Sequence, residues 1–219
     1  MPNSVLPGSI MKAPGGLKGF DVNSILSSSQ AQSFKNAGYS FCIRYLPRAA
    51  NLIQGNLTNG EAQVILNAGL ALMAVQHVAL PGWKPSTNLG TIYGNYAATY
   101  ASQVVQLPQG LNIWCDLEGI APETDAKDVI AYCQAWYYAV HIAGYVPGIY
   151  VGYDPILSAD QLYDDLSFQH YWRAYNGPQV ATRGFQLLQQ TEKTLDGVTF
   201  DPDVTQDDNM GDSALWLSA

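Results

Sequence analysis

Three segments of this chain end on the same dipeptide, Ala37-Gly38, Ala68-Gly69 and Ala143-Gly144, and each runs straight into an apolar stretch. Glycine supplies the left-handed residue that closes a helix, so the repeated mark predicts helix-then-strand units. They recur roughly every 30–40 residues, which implies right-handed crossovers and a parallel sheet. Strands are expected over residues 19–22, 41–46, 70–78, 111–118 and 146–153. Between them, Ser27 with Gln30 and Thr58 with Glu61 form capping-box pairs, and Thr124 caps a later helix. From Leu89 to Val104 apolar residues follow an i, i+3, i+4, i+7 rhythm, which predicts one amphipathic helix. Ser158 with Gln161 opens a short helix. Three further strand-like runs, 171–176, 184–191 and 198–205, leave little room between them.

Eight strands in this order predict an irregular (β/α)8 TIM-type barrel, with reduced helices in the C-terminal third. A doubly wound open sheet is the alternative, but no GxGxxG or GxxxxGK[ST] follows any strand. The expected organisation is a flexible arm over residues 1–18 and a single barrel domain over 19–219.

Hydrophobic residues make up 47% of the 219 positions and charged residues 13%, which predicts a compact globule without a membrane span. Residues 1–18 lack the apolar core of a Sec-type leader. Cys42, Cys115 and Cys133 are odd in number, distant and set in apolar surroundings, so buried thiols made in a reducing compartment are expected. A task outside the cell would then require non-Sec export or release by lysis. A net charge of −8 and the lack of any basic cluster argue against nucleic acid. They also remove long-range attraction to anionic polymers. A neutral glycan fits the charge best.

Chemistry in such barrels sits at the C-terminal strand ends, and polar groups gather there: Asp21, Arg44, His77, Asp116, Glu118, Tyr150, Arg173, Tyr175, Gln189, Gln190, Asp201 and Asp203. Strand alternation puts Asp116 and Glu118 on one face, and holding two acids at the end of a buried strand is costly without a use. Glycosidic hydrolysis needs such a pair: one acid to protonate the leaving oxygen, one carboxylate to support the cationic transition state. Asp21 could instead pair with Arg44 on the next strand, and His77 could be an ordinary core histidine. Trp83 could stack on a sugar or fold back onto the barrel. His77, His141 and His170 lack zinc-ligand spacing, and Gln206 stands where a calcium loop through Asp201, Asp203, Asp207 and Asp208 needs glycine, so neither metal nor cofactor is expected. Acids after the eighth strand disfavour a phosphorylated metabolite.

Gly19-Phe20-Asp21, Asp116-Leu117-Glu118, Gln189-Gln190 and Phe200-Asp201-Pro202-Asp203-Val204-Thr205 resemble the motifs of glycoside hydrolase family 25 muramidases. The opening GFD, the phrase from Ala37 to Leu46 and the closing FDPDV resemble still more closely a group of bacterial glycoside-hydrolase-like barrel domains of unknown function. That resemblance runs from Gly19 to about Asp207. It implies a carbohydrate site in which Asp21, Asp116, Glu118 and Asp203 form an acidic quartet, with Glu118 as general acid. Arg44, His77, Tyr150, Tyr175, Gln189 and Trp83 are the expected substrate-binding residues. Leu188 and Gln190 stand where the family has tryptophan and tyrosine, and Thr205 where it has asparagine. The resulting expectation is a protein that cleaves or recognises peptidoglycan or a related amino-sugar polymer, or a catalytically inactive glycan-binding barrel.

Overall fold

The computed structural model describes residues 6–50 and 55–219. In chain order the elements are β1 (Ser9–Lys12), β2 (Lys18–Val22), α1 (Ser28–Asn36), β3 (Phe41–Leu46), α2 (Asn59–Asn67), β4 (Ala71–Gln76), α3 (Thr87–Tyr100) and a π-helical turn (Ala101–Val105). There follow β5 (Asn112–Leu117), α4 (Ala126–Ile142), β6 (Val146–Val151), α5 (Ala159–Asp164), β7 (His170–Arg173), β8 (Leu187–Gln189), β9 (Lys193–Leu195), β10 (Val198–Thr205) and β11 (Leu215–Ser218).

Strands β2 to β8 run parallel, β10 joins β8 to β2, and the β4–β5 pairing completes the ring. The result is a mixed α/β fold: a closed eight-stranded barrel with few helices around it, a TIM-type barrel in coarse outline. Side-chain alternation splits the core in two. Phe41, Ile43, Met73, Val75, Trp114, Trp172 and Leu187 fill the barrel interior. Phe20, Cys42, Leu46, Leu72, Ile113, Cys115 and Ile149 face the helices.

The eighth strand departs from expectation. β10 is antiparallel to both neighbours, because Asp196 (φ 50) and Gly197 (φ 73) make a two-residue hairpin that turns β9 back into it. The mouth therefore receives the first half of β10. Asp201 lies level with Asp21, while Asp203 lies one layer deeper, opposite Gly19.

The segment expected as a free arm is drawn into the sheet where it is described; residues 1–5 lie outside the described residues. β1 pairs with β11 along its length, and β11 meets β4 at Leu217 and Leu72. Thr205, at the lower end of β10, donates to Pro14 O (2.6 Å) and accepts from Leu17 N (2.9 Å).

The capping boxes at Ser27–Gln30 and Ser158–Gln161 form, and Ala37, Ala68 and Ala143 cap their helices ahead of left-handed glycines. Thr58 caps Glu61 N, but the Glu61 carboxylate is used elsewhere, and Asp125 rather than Thr124 caps α4. α3 buries Gly90 and Gly94 against α4, where a Cβ on Gly94 would lie 2.8 Å from Trp136 O. Its bulky Ile92 stays half exposed, so small residues make the contact that periodicity assigned to large ones. All three cysteines are buried thiols.

Candidate active site

Five carboxyl groups meet at the C-terminal mouth. Asp21 is the penultimate residue of β2, Asp116 lies near the end of β5 with Glu118 just beyond it, and Asp201 and Asp203 come from β10. Asp21, Asp116 and Asp203 are buried, whereas Glu118 and Asp201 keep partial access to solvent. The acids sense one another: Asp21 feels Asp201 and Glu118, Asp116 feels Glu118 and Asp21, and Asp203 feels Asp21 and Asp201.

Asp21 is the best-held member. Tyr45 donates to its Oδ1 and Gln189 to its Oδ2, each at 2.8 Å, and Tyr150 donates to Gln189 Oε1 at 2.8 Å. Burial outweighs these donors and pushes its carboxyl up to about 7. The Trp172 indole donates to Asp203 Oδ1 at 2.8 Å, while Asp203 Oδ2 is buried with no donor. Burial, and next the charge of Asp21, lift Asp203 well above the usual carboxylate range, while the Trp172 indole draws it down. Burial also raises Asp116, helped by the charges of Glu118 and Asp21 and opposed by the Val78 backbone N–H; its Oδ1 has no partner.

Glu118, like Asp201, is a raised acid that a substrate can reach. Burial lifts it first, the Tyr153 backbone N–H draws it down, and Asp201 lifts it again. Its side chain lies across Gly152, where a Cβ would overlap Glu118 Cβ and Oε2. Gly119 (φ +61) turns the chain directly after it, packed where a Cβ would sit 2.9 Å from the Tyr153 hydroxyl. Trp83 donates to the Glu118 carbonyl at 2.9 Å and sets its ring edge-on to Tyr132 (5.0 Å), so it folds onto the barrel and braces the acid's backbone.

Among the residues expected to bind substrate, Tyr150 and Gln189 join the cluster. Burial, and then the surrounding acids, keep the Tyr150 phenol protonated. His77 stacks near Tyr45 (4.5 Å between ring centroids), and burial, followed by Arg44 and Arg48, lowers its imidazole to about 4. Tyr175 stands 63% exposed on the loop after β7, with no hydrogen bond to the acids among the described residues.

Arg44 is a correction. It lies opposite Val22 in the β2–β3 register, on the outward parity, while its neighbours Ile43 and Tyr45 point inward. It donates to Glu61 (2.7 Å), Val22 O (2.5 Å) and Gly55 O (2.7 Å), not to Asp21. Arg173 likewise faces outward, donating to Gly177 O at 2.9 Å. Asp207 and Asp208 are held apart from the mouth by Ser213 and Arg183. The departures from the family pattern are displaced too. Gln190 lines an outer cavity of about 200 Å³ with Lys18, Tyr39 and Lys193, and Thr205 lies at the bottom.

Residues that sequence reasoning passed over are Tyr45, Trp172 and Tyr153, and Asp201 as a full member of the acid cluster. Alternation along β3 from Phe41 and Ile43 turns Tyr45 inward, and the β6–β7 register sets Trp172 beside Tyr150.

An acid-lined mouth on a closed eight-stranded barrel defines the glycoside-hydrolase-like class. Comparison of the sequence with known families agrees: residues 32–208 match the Rv2525c-like, glycoside hydrolase-like domain, and the chain belongs to that family. The fold is shared with the Tat-secreted protein Rv2525c of Mycobacterium tuberculosis, whose crystal structure is a complex with HEPES. The identity is 15%, the TM-score 0.66, and the match covers 90% of this chain and 98% of that one. An uncharacterized B. stearothermophilus protein gives 17% identity and a TM-score of 0.65, over 87% of this chain and 96% of that one. No curated protein matches the chain.

Proposed function

We propose that this glycoside-hydrolase-like protein cleaves a glycosidic bond in peptidoglycan or a related amino-sugar polymer by carboxylate acid/base chemistry. The observation that carries the reading is Glu118, a partly exposed acid of raised proton affinity beside deeper carboxyls at the mouth. Glu118 protonates the leaving oxygen. Asp116, beneath it on the same strand face, supports the oxocarbenium ion or orients water. Asp21 and Asp203 sit further back, where burial raises the proton affinity of each, and tune both. Gln189, oriented by Tyr150, holds Asp21 in place; its second amide N–H can donate to a sugar hydroxyl, and the Tyr150 oxygen can accept from one. The likeness of the GFD, DLE and FDPDV motifs to family 25 muramidases supports an amino-sugar substrate. The Tat-secreted status of Rv2525c supports a task outside the cytosol for this chain as well.

The test is release of new reducing ends from defined wall glycan fragments. Glu118→Gln keeps the shape of the side chain but loses the transferable proton, so turnover should fall by about 10²–10⁴-fold with folding intact. Equal turnover by the variant would remove Glu118 from its role. Retained binding with no product from the native chain would instead select the inactive, glycan-binding barrel.

A further inference from the structure

The acid cluster has no countercharge. Among the described residues, no lysine or arginine forms an ion pair with Asp21, Asp116, Glu118, Asp201 or Asp203. Arg44 is committed to Glu61, Lys84 to Glu123 and Arg48 to the Val78 carbonyl, and Lys18 and Lys193 line a cavity that Asp203 also lines without forming an ion pair to it. Glu192 adds a further negative charge that Asp201 feels. Two acceptors within the cluster, Asp116 Oδ1 and Asp203 Oδ2, belong to side chains more than nine-tenths buried and receive no hydrogen bond. Buried acceptors of this kind call for a proton or a cation from outside the chain.

Resting on the glycoside reading above, we propose that the mouth takes a sugar unit bearing a free, protonated amine, a de-N-acetylated hexosamine, in preference to its N-acetylated form. An ammonium group brings one positive charge and three donors into a site made of acceptors. Asp201, partly exposed, meets it first, with Asp116 below, while Glu118 keeps the proton it transfers. The ammonium takes the place of a proton held among the carboxyls, so the site stays near balance both empty and filled. An acetamido group offers a single N–H, and its carbonyl brings a further acceptor to a site made of acceptors. An acidic sugar meets unpaired like charge.

The experiment is calorimetric titration of the full chain with β-1,4-linked tetramers of glucosamine and of N-acetylglucosamine, at low salt and mildly acidic pH. The glucosamine tetramer should bind at least about tenfold more tightly, and the gap should narrow as salt screens the charges. Asp201→Asn, at the solvent end of the cluster, should narrow the gap several-fold. Equal or tighter binding of the N-acetylated tetramer would overturn the amine preference and leave the glycoside reading standing. An unchanged gap in Asp201→Asn would show that the amine does not sit at these acids and would also overturn it. Binding of neither tetramer would count against the glycan reading itself, and the preference would fall with it.

Discussion

Asp21 ionises only near pH 7 in the folded chain, against 3.8 for an ordinary aspartate, with burial the leading cause. Between those values the folded protein holds a proton that the unfolded chain releases. This contribution to stability is complete below about pH 3.8 and is lost as pH rises towards 7. Asp203 acts in the same direction. His77 and His170 act in the opposite one: burial lowers both imidazoles to about 4, so their contribution is lost as pH falls from 6.5 towards 4. Asparagine at 203 keeps an oxygen for the Trp172 indole and cannot ionise. Asp203→Asn should therefore gain in Tm relative to the native chain as pH rises from about 4 to 8, by a few degrees at the upper end. Thermal unfolding across that range checks it, and a pH-independent offset would contradict it. Gly152 makes a second residue-scale prediction. A methyl group there has no room beside Glu118, so Gly152→Ala should displace the acid and cut turnover at least tenfold. The stability cost should be about 1–3 kcal/mol, measured by denaturant unfolding.

At the scale of elements, alternation is the legible signal, and it separates Arg44 from the acids. Asp116 and Glu118 share a face because side chains alternate, and both point into the mouth. The same rule sends Arg44 outward between Ile43 and Tyr45, where it meets Glu61 at a site with side-chain exposures of 0% and 3%. There Glu61 also accepts from Leu26 N, and Arg44 reaches Val22 O and Gly55 O, so the pair ties the loops after β2 and β3 to the wall behind Asp21. Arg44→Met leaves Glu61 buried without its partner and should cost about 3–5 kcal/mol, read as a loss in the unfolding midpoint. A change under 1 kcal/mol would show that the loops do not depend on it. The reversal of β10 was also legible, since Asp196-Gly197 is a two-residue hairpin signal. The β1–β11 pairing was not. Four-residue strands at the two chain ends carry little periodicity, and only the three-dimensional closure beneath β4 gives them a partner.

For the whole molecule, strand order and acid positions could be read because each rests on a local pattern: a helix stop, an apolar run, a carboxylate at a strand end. The raised proton affinity of Asp21 and Asp203 could not, since it comes from a burial that exists only when the barrel closes. Closure also brings donors from β3, β7 and β8 to the acids while the arginines stay on the outer wall. The mouth is thereby an acidic, proton-holding cavity, and the central claim is that a glycosidic oxygen comes to rest beside Glu118. The most direct measurement is a crystal structure of Glu118→Gln soaked with a short amino-sugar oligomer. The account predicts a glycosidic oxygen within hydrogen-bond distance of the residue-118 amide, with sugar contacts from Tyr150 and Gln189. An oligomer seated away from the acids, or lying across the mouth with every glycosidic oxygen beyond the reach of residue 118, would contradict it.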